Sequence, residues 1–208
     1  MPTQAFNYPY SNYTIKWASS NWEVEQAQAL RRRVFCHEQG LFDGDDHDSI
    51  DDYAQSLIAI ANHGCWHDKV VGTVRIHHQR NNIWWGSRLA VDTEFRTHRG
   101  IGSALIKLAV SSANGLGCQQ FLAQVQKQNE SLFKRLNWQS LYQLEVQNRP
   151  HVMMQAELEK FPPIKNPSTG FIVRENLDDY NLQIAPALLQ SYCEPLMSSR
   201  ITPAHASL

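Results

Sequence analysis

The stretch from Trp84 to Leu105, WWGSRLAVDTEFRTHRGIGSAL, constrains this chain more than any other. An apolar, strand-like segment ends at Val91 and a short polar link follows. Arg99-Gly100-Ile101-Gly102-Ser103 then opens a segment with helical periodicity. A strand feeding a glycine-rich turn at a helix N-terminus is a phosphate-binding arrangement. The unpaired N–H groups of the first turn and the positive end of the helix dipole both face the ligand. Along the strand, alternation puts Trp84 and Arg88 on one face and Trp85 and Leu89 on the other. One of these faces is a candidate lining for an acceptor pocket.

The rest of the chain arranges itself around that stretch. Residues 1–11 read as a loose arm and Tyr13–Trp17 alternates as a strand does. Asn21 is the predicted N-cap of a helix over 22–38, with Val24, Ala27, Leu30, Val34 and Phe35 on its apolar face. The run Arg31-Arg32-Arg33 reads as a solvated face of that helix. The loop GLFDGDDHDSIDD carries six aspartates between Asp43 and Asp52. It lacks the EF-hand pattern, which leaves a solvated acidic loop or an acidic lip that attracts a cationic amine. Strands are predicted over 55–62, 69–77, 83–91, 120–126, 138–144 and 151–158, and helices over 99–116 and 129–136. This is an α/β (α+β) layout with a mixed sheet. FPPIKNPSTG, rich in proline and turn residues, marks a boundary after residue 160. The expected organisation is therefore a domain over 1–160 and a C-terminal extension over 161–208, with one weak helical stretch at 182–193.

The glycine turn has three phosphate-binding readings. No GxxxxGK[ST] string exists, which removes the P-loop. A Rossmann turn needs GxGxxG early in a βαβ unit, but Ser103-Ala104-Leu105 follows Gly102 and the preceding strands come as a hairpin meander. A coenzyme A turn, R/Q-x-x-G-x-G/A after a strand ending L-A-V, is the third. Here RLAVDTEFRTHRGIGSALIKLAV, the strand FLAQVQ, Asn129 and LFKRLNW follow one another, behind LRRRVFCHEQGLF. Over roughly residues 13–160 this order resembles the GNAT N-acetyltransferases. EQGLF, WWGSRLAV, SSANGLGC and RPHVMMQAEL are most similar to the nitrogen-starvation subgroup of that family.

The resemblance implies a GNAT-like mixed, mostly antiparallel central sheet flanked by helices, with a splayed coenzyme A cleft. It implies transfer of an acetyl group from acetyl-CoA to a primary amine, by direct attack in a ternary complex. Arg99, Gly100, Ile101, Gly102, Ser103 and Ala104 would surround the pyrophosphate. In strict register Thr97 takes the R/Q position, with Arg96 one residue before it. Leu89, Ala90 and Val91 would pair with the pantetheine arm, and one N–H there would polarise the thioester carbonyl. Asn129 would cap the next helix or contact the cofactor. Phe133 stands where many members have a tyrosine general acid, and phenylalanine has no proton to give. That departure keeps a second function open, an acyl-CoA-binding sensor or scaffold of weak activity.

A general base must take a proton from an ammonium group. Glu38 is the first candidate, because the EQ segment approaches the substrate side. His37, His77, His78 and His151 are others, since imidazoles titrate nearer neutrality; His151 is retained beside Glu38. Net charge is −1, which offers no electrostatic footprint for nucleic acid or an anionic membrane. Cys36, Cys65, Cys118 and Cys193 form no CxxC pair and no zinc spacing. The N-terminus lacks signal-peptide features, and no apolar run reaches the ~20 residues of a membrane span. A cytoplasmic enzyme acting on a small-molecule amine is expected, with a homodimer or partner docking through the extension.

Overall fold

A computed structural model describes residues 10–96 and 100–174. The predicted helix at 182–193, most of the N-terminal arm, Thr97 and Arg99 lie outside the described residues. In chain order the elements are β1 (Asn12–Trp17), α1 (Asn21–Arg31), β2 (Gln55–His63), β3 (Trp66–Gln79), β4 (Ile83–Val91), α2 (Ile101–Gly115), β5 (Gln120–Gln126), α3 (Glu130–Arg135), β6 (Trp138–Val146), β7 (Arg149–Ala156) and β8 (Phe171–Arg174). The strands form one mixed sheet in the order β6-β7-β5-β4-β3-β2-β1-β8, in which β4 and β5 pair parallel and the other pairs are antiparallel. No described helix is long and apolar enough to cross a membrane.

The sheet buries both faces, which is why β2 reads as a continuous apolar run rather than an alternating one. Leu57, Ala59 and Ala61 point to the side covered by α2. Ile58 and Ile60 point to the other side, where Ala27 and Leu30 of α1 and Val34 and Phe35 beyond it cover them. The cap stands one residue before the expected Asn21, which is instead the first helical residue. Ser20 is the N-cap, its hydroxyl accepting from Glu23 N–H while the Glu23 carboxylate accepts from Ser20 N–H, a reciprocal capping box.

Beyond α1 the chain continues as a π-helical turn over Arg32–Glu38, closed by Gln39 N–H donating to Val34 O. The wider turn shifts the phase of the face. Residues 161–174 lie on the same body: Phe161 is buried, Ile164 N–H donates to Ser111 O, and β8 pairs antiparallel with β1.

Candidate active site

The site is made by a ladder that stops early. β4 and β5 pair only over Ile83–Gly86 and Gln120–Ala123. Past Gly86 and Ala123 the two strands diverge, and a cleft of about 640 Å³ opens between them and through the sheet. On the α1 side it is lined by Gln39, Asp48, Arg75, His77, Gln124 and His151. On the α2 side it is lined by Leu89, Ile106, Ala109, Phe121, Asn129 and Phe133.

The open edge of β4 can be read from its neighbours. Asp92 N–H donates to Val71 O on β3, so Val91 turns the opposite way, and its carbonyl accepts from Arg96 Nε at 2.9 Å. By the same alternation Val91 N–H, and Leu89 N–H two residues back, face the splayed edge. The ladder with β3 pairs Thr73 with Ala90 and Arg75 with Ser87, leaving Val74 opposite both Arg88 and Leu89. This is a β-bulge, with Arg88 in the left-handed region at φ +55°. The extra residue reverses the expected faces. Arg88 lands on the side of Trp85, which lines the cleft, while Trp84 packs in the core under α2.

The bulge lets Arg88 join an ion network laid over the α1 side. Arg88 bonds Asp46 and Asp48, Arg31 bonds Asp46 and Asp51, and Arg75 bonds Asp48 and Asp51. Arg31, Arg75 and Asp46 are each no more than 2 % exposed. Arg31 is therefore no solvated residue, although Arg32 and Arg33 on the same turn are exposed. Burial alone would raise the Asp51 carboxyl, but hydrogen bonds from Arg31, the Asp48 N–H and Arg75 hold it well below the ordinary carboxylate range. Three of the loop's aspartates thus face three arginines, so this side of the cleft carries no net acidic lip.

Glu38 stands outside the cleft. Its carboxylate is gripped by Arg96 at 2.5 and 2.7 Å and by Thr93 Oγ1 at 3.2 Å. The Arg96 hydrogen bonds hold its pKa down, against the upward pull of burial. The EQ segment does reach the cleft, but through the next residue. Gln39 lines the cleft, accepts from Gln126 Nε2, and its carbonyl accepts from Arg149. The π turn carries this residue inward, and no spacing rule for a regular helix foretells it.

Of the four candidate histidines, His37 and His78 are exposed, whereas His77 and His151 line the cleft. His151 sits on β7 beside Gln126 of β5. Its Nδ1 lies 2.8 Å from the Arg149 carbonyl. A carbonyl only accepts, so Nδ1 donates to it, and in the neutral ring Nε2 is the nitrogen with the free lone pair. His77 is pushed below the usual imidazole range by burial and then by Arg75.

At the mouth, Gly100 takes φ +60° ahead of α2, with no side-chain cap. The first helical bond runs from Ala104 N–H to Gly100 O, so the N–H groups of Ile101, Gly102 and Ser103 have no partner within the helix. A Cβ added at Gly102 would meet nothing nearer than Val91 Cγ2 at 3.8 Å. The chain's own packing has no need of a glycine there, whereas a ligand drawn against the backbone does. Asn129 precedes α3 but makes no side-chain capping bond, and the residue lines the cleft. Phe133 is buried and meets Trp138 edge-on at 5.1 Å. Trp138 Nε1 is buried with no hydrogen-bond partner; sequence spacing gave this donor no signal.

The comparisons with known proteins agree with this geometry. Residues 17–138 match the model of the Acetyltransferase (GNAT) family. No curated protein matches the sequence. A crystal structure of a Lactobacillus plantarum protein assigned as an N-acetyltransferase superposes with a TM-score of 0.63 at 20 % identity, over 70 % of this chain and 98 % of that one. Escherichia coli ElaA superposes at 0.59 with 18 % identity, over 70 % and 98 %. An acyl-CoA N-acyltransferase from Pseudomonas aeruginosa superposes at 0.54 with 17 % identity, over 69 % and 98 %. At these identities the likeness is one of fold.

Proposed function

The chain belongs to the acetyltransferase (GNAT) family, and from that premise we propose that it moves an acetyl group from acetyl-CoA to a primary amine on a small molecule. The observation that carries this is the splay of β4 from β5, which opens beside an uncapped glycine turn at the start of α2. Acetyl-CoA, when bound, supplies an acyl carbon already activated as a thioester. Gly100, Ile101, Gly102, Ser103 and Ala104 hold its pyrophosphate, joined by Arg96 and, on the sequence resemblance, by Thr97 and Arg99. The open edge of β4 from Val91 to Leu89 aligns the pantetheine arm, and an N–H on that edge stabilises charge on the carbonyl oxygen. Asn129 and Phe133 line the far wall.

The amine enters from the α1 side. His151 Nε2 takes the proton of the ammonium. The freed nitrogen attacks the acyl carbon, a C–N bond forms and the C–S bond breaks. Phe133 offers no proton to the departing thiolate. That proton comes from the nitrogen, which sheds it as it becomes an amide, directly or through water. The neutralised arginine–aspartate network favours an acceptor with little net charge beyond its reacting amine. A cytoplasmic place in nitrogen metabolism is supported by the sequence resemblance, and residues beyond 174 are assigned to partner or dimer contact.

The wall of Phe133 and Trp138 also supports a second reading, an acyl-CoA sensor without appreciable turnover. Two measurements decide. Thermal stabilisation by coenzyme A and acetyl-CoA, but not by NAD or ATP, is expected; the reverse pattern sinks the family chemistry for this chain. Thiol release from acetyl-CoA across an amine library is expected for the enzyme, and its absence alongside binding favours the sensor.

A further inference from the structure

The wall beside His151 is made of uncharged amides, and two of them are left open. In the antiparallel pairing of β5 with β7, Gln126 stands opposite His151 and Gln124 opposite Met153. Residues paired in this way lie side by side on one face, and residues two apart along a strand share it. Gln124, Gln126 and His151 therefore sit together on the α1 side of the cleft. Gln124 follows Ala123, the last residue paired with β4, which puts it at the apex of the splay.

The amides form a row with a direction. Gln128 Nε2 donates to Gln126 Oε1 at 2.9 Å, and Gln126 Nε2 donates to Gln39 Oε1 at 3.1 Å. The row ends on Gln39 Nε2, which has no partner among the described residues. The Gln124 amide has none there either, although it lines the cleft and is exposed. His151 is thus flanked by one free amide on the neighbouring strand and another carried in by the π turn. Fixed charge is cancelled around them. Among the described residues lining the cleft, the Asp, Glu, Lys and Arg side chains are Asp48, Arg75 and Arg88, and each is bonded within the arginine–aspartate network. Arg149 donates to the Gln39 carbonyl from outside that lining.

Resting on the acyl-transfer reading above, we propose that Gln124 and Gln39 select the acceptor, a small amine that carries an uncharged carboxamide close to its reacting nitrogen. A carboxamide oxygen accepts from the Nε2 groups, and its N–H donates to Gln124 Oε1. An alkylamine leaves these amides unanswered. A carboxylate or a second ammonium in the carboxamide's place gives up water without meeting a free counter-charge on this wall. The exchange of bonds is unchanged: C–N forms, C–S breaks, and the nitrogen gives one proton to His151 and one to the thiolate.

Thiol release from acetyl-CoA by the full chain, with β-alaninamide, isopentylamine, β-alanine and putrescine as acceptors, tests this. The kcat/KM for β-alaninamide is expected to exceed each of the others by about tenfold or more. In Gln124→Leu, and separately in Gln39→Leu, its preference over isopentylamine is expected to shrink by about fivefold or more. The unequal basicity of the two amines cancels in that comparison between proteins. Any of the other three turned over as well as β-alaninamide, or a preference unchanged in both variants, overturns the proposal and leaves the acyl-transfer reading standing. Release with other amines but with none of these four does the same. Release with no amine at all overturns that reading and this one together. Should one variant not fold, the other and the series on the unaltered protein decide.

Discussion

Two residues at this site have roles that their types alone did not separate. Glu38 is a carboxylate in a segment that approaches the cleft, yet Arg96 holds it at the surface, ionised and outside the cleft. His151 is one of nine histidines, and it alone of the candidates both lines the cleft and donates Nδ1–H to a backbone carbonyl. The physical difference is that His151 lines the cleft whereas the Glu38 carboxylate is tied to Arg96 outside it. His151→Gln is therefore expected to lower kcat by about 10²–10⁴-fold, the usual share of a general base. Glu38→Gln is expected to change kcat by less than about threefold, because an exposed pair contributes little to stability or position. Steady-state kinetics on the two variants checks both; equal losses would return Glu38 to the mechanism. The aspartates teach the same lesson from the other side, since Asp46 and Asp51 are structural counter-ions although their sequence looks like an amine trap.

At the level of elements, the site depends on three irregularities in otherwise regular structure: the ladder that ends at Gly86, the bulge at Arg88 and the π turn that brings in Gln39. The glycine turn offers a clean separation of fold from ligand. Gly100 needs φ +60° for the chain to enter α2, and a side chain there costs about 1–2 kcal/mol. Gly102 sits within the first turn with open space around it, and alanine is the better helix former by up to about 1 kcal/mol. Gly100→Ala is thus expected to lower the melting temperature. Gly102→Ala is expected to keep or raise it while weakening coenzyme A binding at least tenfold. Melting curves with and without coenzyme A measure both quantities. Equal binding by Gly102→Ala and the unaltered chain would remove the turn from the phosphate site.

Across the whole molecule, the arginine–aspartate network ties the loop over 46–51 to α1, β3 and β4, and it sets how stability responds to acid. Asp48 and Asp51 have folded pKa values below their unfolded ones: burial opposes this, and the arginine bonds overcome it. Their contribution is full above the unfolded value, near pH 4, and is lost as pH falls through the folded values. His77 is also depressed, by burial and Arg75. The unfolded chain therefore binds its proton first, and stability begins to fall below about pH 6.5. Asp51→Asn is expected to cost about 3 kcal/mol at pH 7, the low end for a broken buried pair because Arg31 and Arg75 each keep another aspartate. That deficit is expected to shrink as pH drops below about 4. Chemical denaturation of both proteins from pH 3 to 8 tests this, and a deficit independent of pH would show that Asp51 acts by packing alone. The sequence by itself determined the order of strands and helices from β1 to β7, the turn at Gly100–Gly102 and the family, because these rest on local periodicity and on glycines whose backbone demands are local. Only the tertiary structure decided which charges cancel, which face Arg88 takes and which of Glu38, Gln39, His77 and His151 reaches the cleft. Those outcomes depend on a single-residue bulge, a widened helical turn and pairings between residues far apart in the chain, and none of these leaves a periodic trace in the sequence.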